Sequence, residues 1–99
     1  MFSLEHGYKG SDVSLKGIKL ALVVDTADPL CLERIRVRVL GVHDMTNEEK
    51  DNSIWALHLA PSKSSSGEIP DVKDWVYVMF ADEEDCHSAI WVGWARVGN

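Results

Sequence analysis

Six consecutive residues constrain this chain more than any others: Arg34-Ile-Arg-Val-Arg-Val39 alternates a guanidinium with an aliphatic side chain three times over. In extended backbone successive side chains point to opposite faces, so Ile35, Val37 and Val39 share one side and Arg34, Arg36 and Arg38 the other. The segment is predicted to be a β-strand with one face in a core and one face wet.

Four more runs have β character. Lys16 to Asp25 is rich in Leu and Val and stops at Asp25-Thr-Ala-Asp-Pro29, where Pro29 has no N–H to give a ladder. Ile54 to Ala60 follows a polar connection, His43 to Ser53, and ends at Pro61. Asp74-Trp-Val-Tyr-Val-Met-Phe80 is apolar on both faces and Ser88-Ala-Ile-Trp-Val-Gly-Trp94 nearly so, with the acidic stretch Ala81 to His87 joining them as a hairpin. Ser62 to Gly67 is a low-complexity loop inside the domain, and Met1 to Ser14 has no readable period.

No ten-residue helical pattern competes with these strands. At 99 residues the chain is predicted to be one domain, too small for a second catalytic one. The fold class that follows is all-β: a small five-stranded OB-type Greek-key barrel over residues 15–99, preceded by an N-terminal arm over residues 1–14. The doubly apolar fourth and fifth strands leave a surplus of apolar surface, to be covered by the arm or by another subunit.

Charge narrows the function. Ten Lys+Arg against 16 Asp+Glu give a net charge of −6, the wrong sign for a protein that wraps nucleic acid non-specifically. Leu20 to Val24, the longest nearly apolar stretch, is far short of a bilayer span, and Glu5 and His6 stand where a leader would be basic and then apolar, so neither secretion nor stable membrane association is expected. Cys31 and Cys86 are expected to be free buried thiols.

Val23-Val-Asp-Thr-Ala-Asp-Pro-Leu-Cys-Leu-Glu-Arg-Ile-Arg-Val-Arg-Val-Leu-Gly-Val-His43 resembles the opening of the N-terminal OB domain of the contractile-tail baseplate hub-spike (tail lysozyme) family, to which the type VI secretion spike is related. The shared pattern is a first strand ending in Val-x-Asp, then Asp-Pro-Leu, then an Arg-Val-Arg-Val-like strand closing on Gly-φ-His. Ile54-Trp-Ala, Asp74 to Asp82 and Ala89-Ile-Trp-Val-Gly93 are similar to the family's later strands, so residues 17 to 94 are covered in order. Where the family has glycine just before the Arg-rich strand this chain has Glu33, and the turn there is expected to be built differently. The resemblance implies a structural protein of the virion, assembled in the host cytoplasm: a homotrimer on the tail axis that joins the hub to the membrane-piercing spike. Since the chain stops at Asn99, the peptidoglycan-cleaving and piercing activities of longer relatives are not expected, and the needle is expected to be a separate protein.

The chemistry-bearing residues fit that expectation. Arg34, Arg36 and Arg38 are candidates for carboxylate pairing within or between subunits, for plain solvation, or for phosphate contact, with pairing preferred in so acidic a chain. Trp55, Trp75, Trp91 and Trp94 lie on strands, where they serve as core or subunit-interface residues or, on the alternative reading of a single-stranded nucleic-acid-binding OB protein, stack bases. Asp82-Glu-Glu-Asp85 lacks the spaced ligands of a calcium loop and is expected to be a solvated hairpin tip. Cys86 and His87 lack zinc-site spacing, and no nucleophile, metalloprotease or phosphate-loop signature occurs, so no metal, cofactor or catalytic residue is assigned.

Overall fold

The computed structural model describes residues 14–59 and 68–96. The predicted arm, apart from Ser14, lies outside the described residues, as does the loop Ser62 to Gly67.

Five strands form: β1 (Lys19–Asp25), β2 (Ile35–Val39), β3 (Ile54–His58), β4 (Trp75–Phe80) and β5 (Ala89–Trp94). They close into a barrel in the order β1-β2-β3-β5-β4, antiparallel throughout except for the β3–β5 pair, which is parallel. The all-β, small OB-type barrel expected from the strand pattern is what the chain forms. The predicted strands are trimmed at their ends for local reasons. Gly17, at φ +79°, interrupts extended backbone ahead of β1. Arg34 is tied into the loop before β2, and Asp74 and Ser88 are engaged in the turns that precede β4 and β5.

The barrel interior follows the period-2 reading. Ala21 and Val23, Ile35, Val37 and Val39, Ile54 and Ala56, Val76, Val78 and Phe80, and Ala89 and Trp91 are all buried, while Leu15 and Val42 join the core from outside the strands. Three alanines, Ala21, Ala56 and Ala89, share the interior with the large Trp91 and Phe80, a mixture of small and large side chains that suits a narrow barrel. Each fully buried aliphatic side chain here contributes about 1.5–3 kcal/mol relative to exposure.

Two bulges set which side chains point in. On β1, Val23 pairs with Val37 and Asp25 with Arg36, so Val24 is the extra residue. On β5, Trp91 pairs with Val78 and Gly93 with Tyr77, so Val92 is the extra residue. Trp94 is thereby opposite Val76, in phase with Trp91 although only three residues away.

The arginine face of β2 differs from its expected wet state. Arg38 is only 6% exposed, and Arg34 and Arg36 are half-buried, because β1, Trp55 and the polar β2–β3 connection fold over that face. The cysteines also differ from expectation: both are free, but Cys31 is exposed and Cys86 half-buried against the core.

Candidate assembly surface

The β1–β2 loop is organised by one carboxylate. Asp28 Oδ1 accepts from the Leu30 N–H at 2.9 Å, and Oδ2 from the N–H groups of Leu32 (2.9 Å) and Arg34 (3.2 Å). The Arg34 guanidinium then closes on both oxygens, Nε to Oδ2 at 3.0 Å and Nη2 to Oδ1 at 2.8 Å. This bidentate geometry is the strong form of a charge-assisted pair. It holds the Asp28 carboxyl well below the usual carboxylate range, the three backbone donors adding to the effect, and raises the Arg34 guanidinium above its ordinary value. The Asp28 side chain is 3% exposed. Of the three arginines Arg34 makes a carboxylate pair among the described residues, inside one loop; Arg36 and Arg38 do not.

That anchoring holds two non-glycine residues in left-handed backbone. Glu33 has φ +59° and Cys31 φ +55°, both left-handed. At Glu33 the turn before β2 has a backbone conformation that glycine adopts without strain, and Asp28 fixes the N–H groups on either side of it.

Gly41-Val-His43 closes the other end of β2. Gly41 turns the chain at φ +89°, and His43 folds back so that its Nδ1 accepts the Val39 N–H at 2.9 Å while its own N–H donates to the Val39 carbonyl at 2.8 Å. Only an unprotonated Nδ1 accepts. Burial, and then the nearby Arg38 charge, lowers the His43 pKa and favours that neutral form.

The seven residues singled out from sequence do not form one surface. Trp55 lies across from Arg36 on β3, with the Arg34 and Arg36 guanidinium carbons 5.1 and 5.0 Å from its ring centroid. Arg38 and Trp75 flank Leu22 in a second outer row across β2, β1 and β4. Trp91 is a correction to the partner-binding set. It is wholly buried, stacked on His58 at 4.2 Å and met edge-on by Trp94 at 5.3 Å, so it presents nothing to a partner. Trp94 is half exposed at the barrel's end.

Sequence reasoning did not single out the residues that give the barrel its unusual exterior. On the outer wall Met79 pairs with Ile90 and Ile90 with Leu57, an apolar row across β4, β5 and β3. Beside it Tyr77 pairs with Leu20, whose backbone carbonyl accepts from Leu40. Leu57 is 50% exposed, Tyr77 43% and Met79 38%. The alternation of β4 carried the signal: Trp75, Tyr77 and Met79 occupy positions that a solvated wall would fill with polar side chains. Asp82 to Asp85 forms the exposed hairpin tip that was expected.

No family model and no curated protein matches the chain.

Proposed function

We propose that this chain is a structural component of a contractile-tail baseplate: an OB-barrel adaptor, homotrimeric on the tail axis, that joins the central hub to a separate membrane-piercing spike. The observation that carries the assembly part of this reading is the exposed apolar row Met79–Ile90–Leu57 with Tyr77 beside it, on a barrel whose interior is already filled. Contiguous apolar side chains on an outer wall mark a surface that another protein covers. The resemblance of residues 17 to 94 supplies the baseplate, and its motifs are used here for building the barrel. Asp28 of Asp-Pro-Leu orders the first loop, and His43 of Gly-φ-His caps β2.

Co-expression with the hub protein of the same tail, followed by purification and light scattering, tests the reading. A stable complex with three copies of this chain is expected. Failure to co-purify with the hub, with the barrel folded, would overturn it.

One observation favours a second reading, a single-stranded nucleic-acid-binding OB protein: an aromatic ring flanked by two guanidiniums on the β2–β3 wall, where OB-folds take oligonucleotides. Against it, Arg34 is committed to Asp28 and the net charge is −6. An oligonucleotide titration separates the two, since the adaptor reading expects no salt-dependent binding.

A further inference from the structure

Among the described residues nothing covers one apolar row on the outside of the barrel. Met79 pairs with Ile90 and Ile90 with Leu57, across β4, β5 and β3. The β1–β4 register carries that row one strand further. Lys19 is opposite Val78 and Leu20 opposite Tyr77, so Ile18, the residue before β1, falls at the level of Met79 and on the same outer face as Leu20. Ile18 is 64% exposed. At the spacing of neighbouring strands the four positions make a strip about 14 Å long, with an apolar side chain at every step.

The chain carries an apolar element of matching reach. Thirteen residues precede Ser14, enough to extend about 43 Å. No period runs through the whole of residues 1–14, but Phe2, Leu4 and Tyr8 all stand at even positions, so in extended backbone they share one side, with Ser3, Glu5 and Lys9 on the other. Phe2 to Tyr8 is about 20 Å of such backbone, which spans the strip. Where the segment leaves the barrel decides whose strip it meets. Gly17, at φ +79°, turns the chain out of the line of β1, and Leu15 is buried in the core. The chain ahead of Leu15 therefore leaves from the end of the barrel, not along the wall, and would have to double back past Gly17 to lie on its own strip.

We propose that residues 1–13 of one copy of this chain lie across the Ile18–Met79–Ile90–Leu57 strip of the next, with Phe2, Leu4 and Tyr8 against its apolar side chains. Segment and strip are different surfaces of the same chain, so the contact is head-to-tail, the kind that closes into a ring when the rotation permits. Exchange of a terminal element between identical copies is a low-cost route to such an assembly. The proposal deepens the assembly reading above by naming what covers the outer wall, and rests on that reading only in requiring that copies of the chain meet.

Sedimentation of the full chain over a range of concentrations tests the contact. Phe2→Ser with Leu4→Ser is expected to weaken self-association at least about tenfold. The same variant should leave the melting temperature of the dilute chain unchanged, because the described core is filled from Leu15 onward. Met79→Lys is expected to weaken association from the other side, and all three changes together to cost no more than either set alone, because both sets remove one contact. A photoreactive benzoylphenylalanine at position 2 is expected to cross-link tagged to untagged copies through β4 or β5. Undiminished association in the Phe2→Ser, Leu4→Ser chain, additive losses, cross-links confined to single copies, or a parent chain that is monomeric throughout would each overturn the contact. Hub capture is measured separately on the same proteins: captured hub with no segment-dependent association rejects this contact alone, whereas association through the segment without capture rejects the adaptor reading alone.

Discussion

The outer faces of β2 and β4 invert each other. β2 carries arginines on its outside, and they are covered; β4 carries Trp75, Tyr77 and Met79 on its outside, and the last two stand in solvent. On an ordinary barrel wall the cationic strand would be wet and the aromatic one covered. Loops account for the first half. The β1–β2 loop wraps an arginine into itself through Asp28, and the β2–β3 connection brings Glu48 to Glu49 and Lys50 beside Arg36 and Arg38. Nothing among the described residues covers the second half. The difference shows that coverage of an outer face is decided by what the connections do, not by the polarity of the strand that carries it.

Changes of charge at inner and outer positions test that inversion most severely. Val37→Asp places a carboxylate at a position with no exposure, in a domain whose whole stability is about 5–15 kcal/mol, and is expected to abolish the cooperative melt. A parent-like melting curve would mean that β2 is not packed as described.

Asp28→Asn is expected to come next, lowering the melting temperature by several degrees while the barrel still folds. An amide offers one acceptor oxygen where two now serve Leu30, Leu32 and Arg34, and it cannot pair bidentately with the guanidinium. Hydrogen exchange should quicken at Leu32 and Arg34 and stay slow in β4. Because the folded pKa of Asp28 lies below its unfolded value, its contribution is complete above about pH 4 and is lost only as acid protonates it.

His43 works in a different pH window. Its folded pKa lies below the ordinary 6.5, so the unfolded chain takes up the proton first and stability rises with pH between the two values. The contribution is full above pH 6.5 and disappears as pH falls through the folded value. Denaturant midpoints measured from about pH 7.5 to 5 should fall in the parent and lose much of that slope in His43→Ala, which leaves the Val39 N–H without its acceptor at a cost of about 1 kcal/mol.

Glu33→Gly is expected to stabilise by about 0.5–1 kcal/mol, since glycine adopts the left-handed conformation without the Cβ penalty and the exposed Glu33 side chain gives up little. A lower midpoint would show that the glutamate has a contact of its own. Smallest in its effect on folding is Met79→Lys, expected to shift stability by no more than about 0.5 kcal/mol because the position is already wet. The same substitution should reduce solution mass or hub capture, and intact assembly would remove the outer wall from the interface.

Where the five strands run, that the chain is all-β and which face of β2 fills the barrel were legible in the sequence, because strand periodicity is a local property and Ile35, Val37 and Val39 state it without ambiguity. The sequence also located the motifs at Asp28 and at Gly41 to His43, though not their work, which depends on an Arg34 fork and a Val39 N–H brought round by turns. Long-range packing was needed to show that the arginine face is roofed over, that Glu33 takes up left-handed backbone, and that Trp91 and Trp94 share a side. The last follows from a bulge at Val92, one unpaired residue that resets the inward phase for everything after it, and its signal lies in how β4 and β5 are matched rather than in either strand alone. Alternation says which side chains share a face; curvature, bulges and connections say which face meets water.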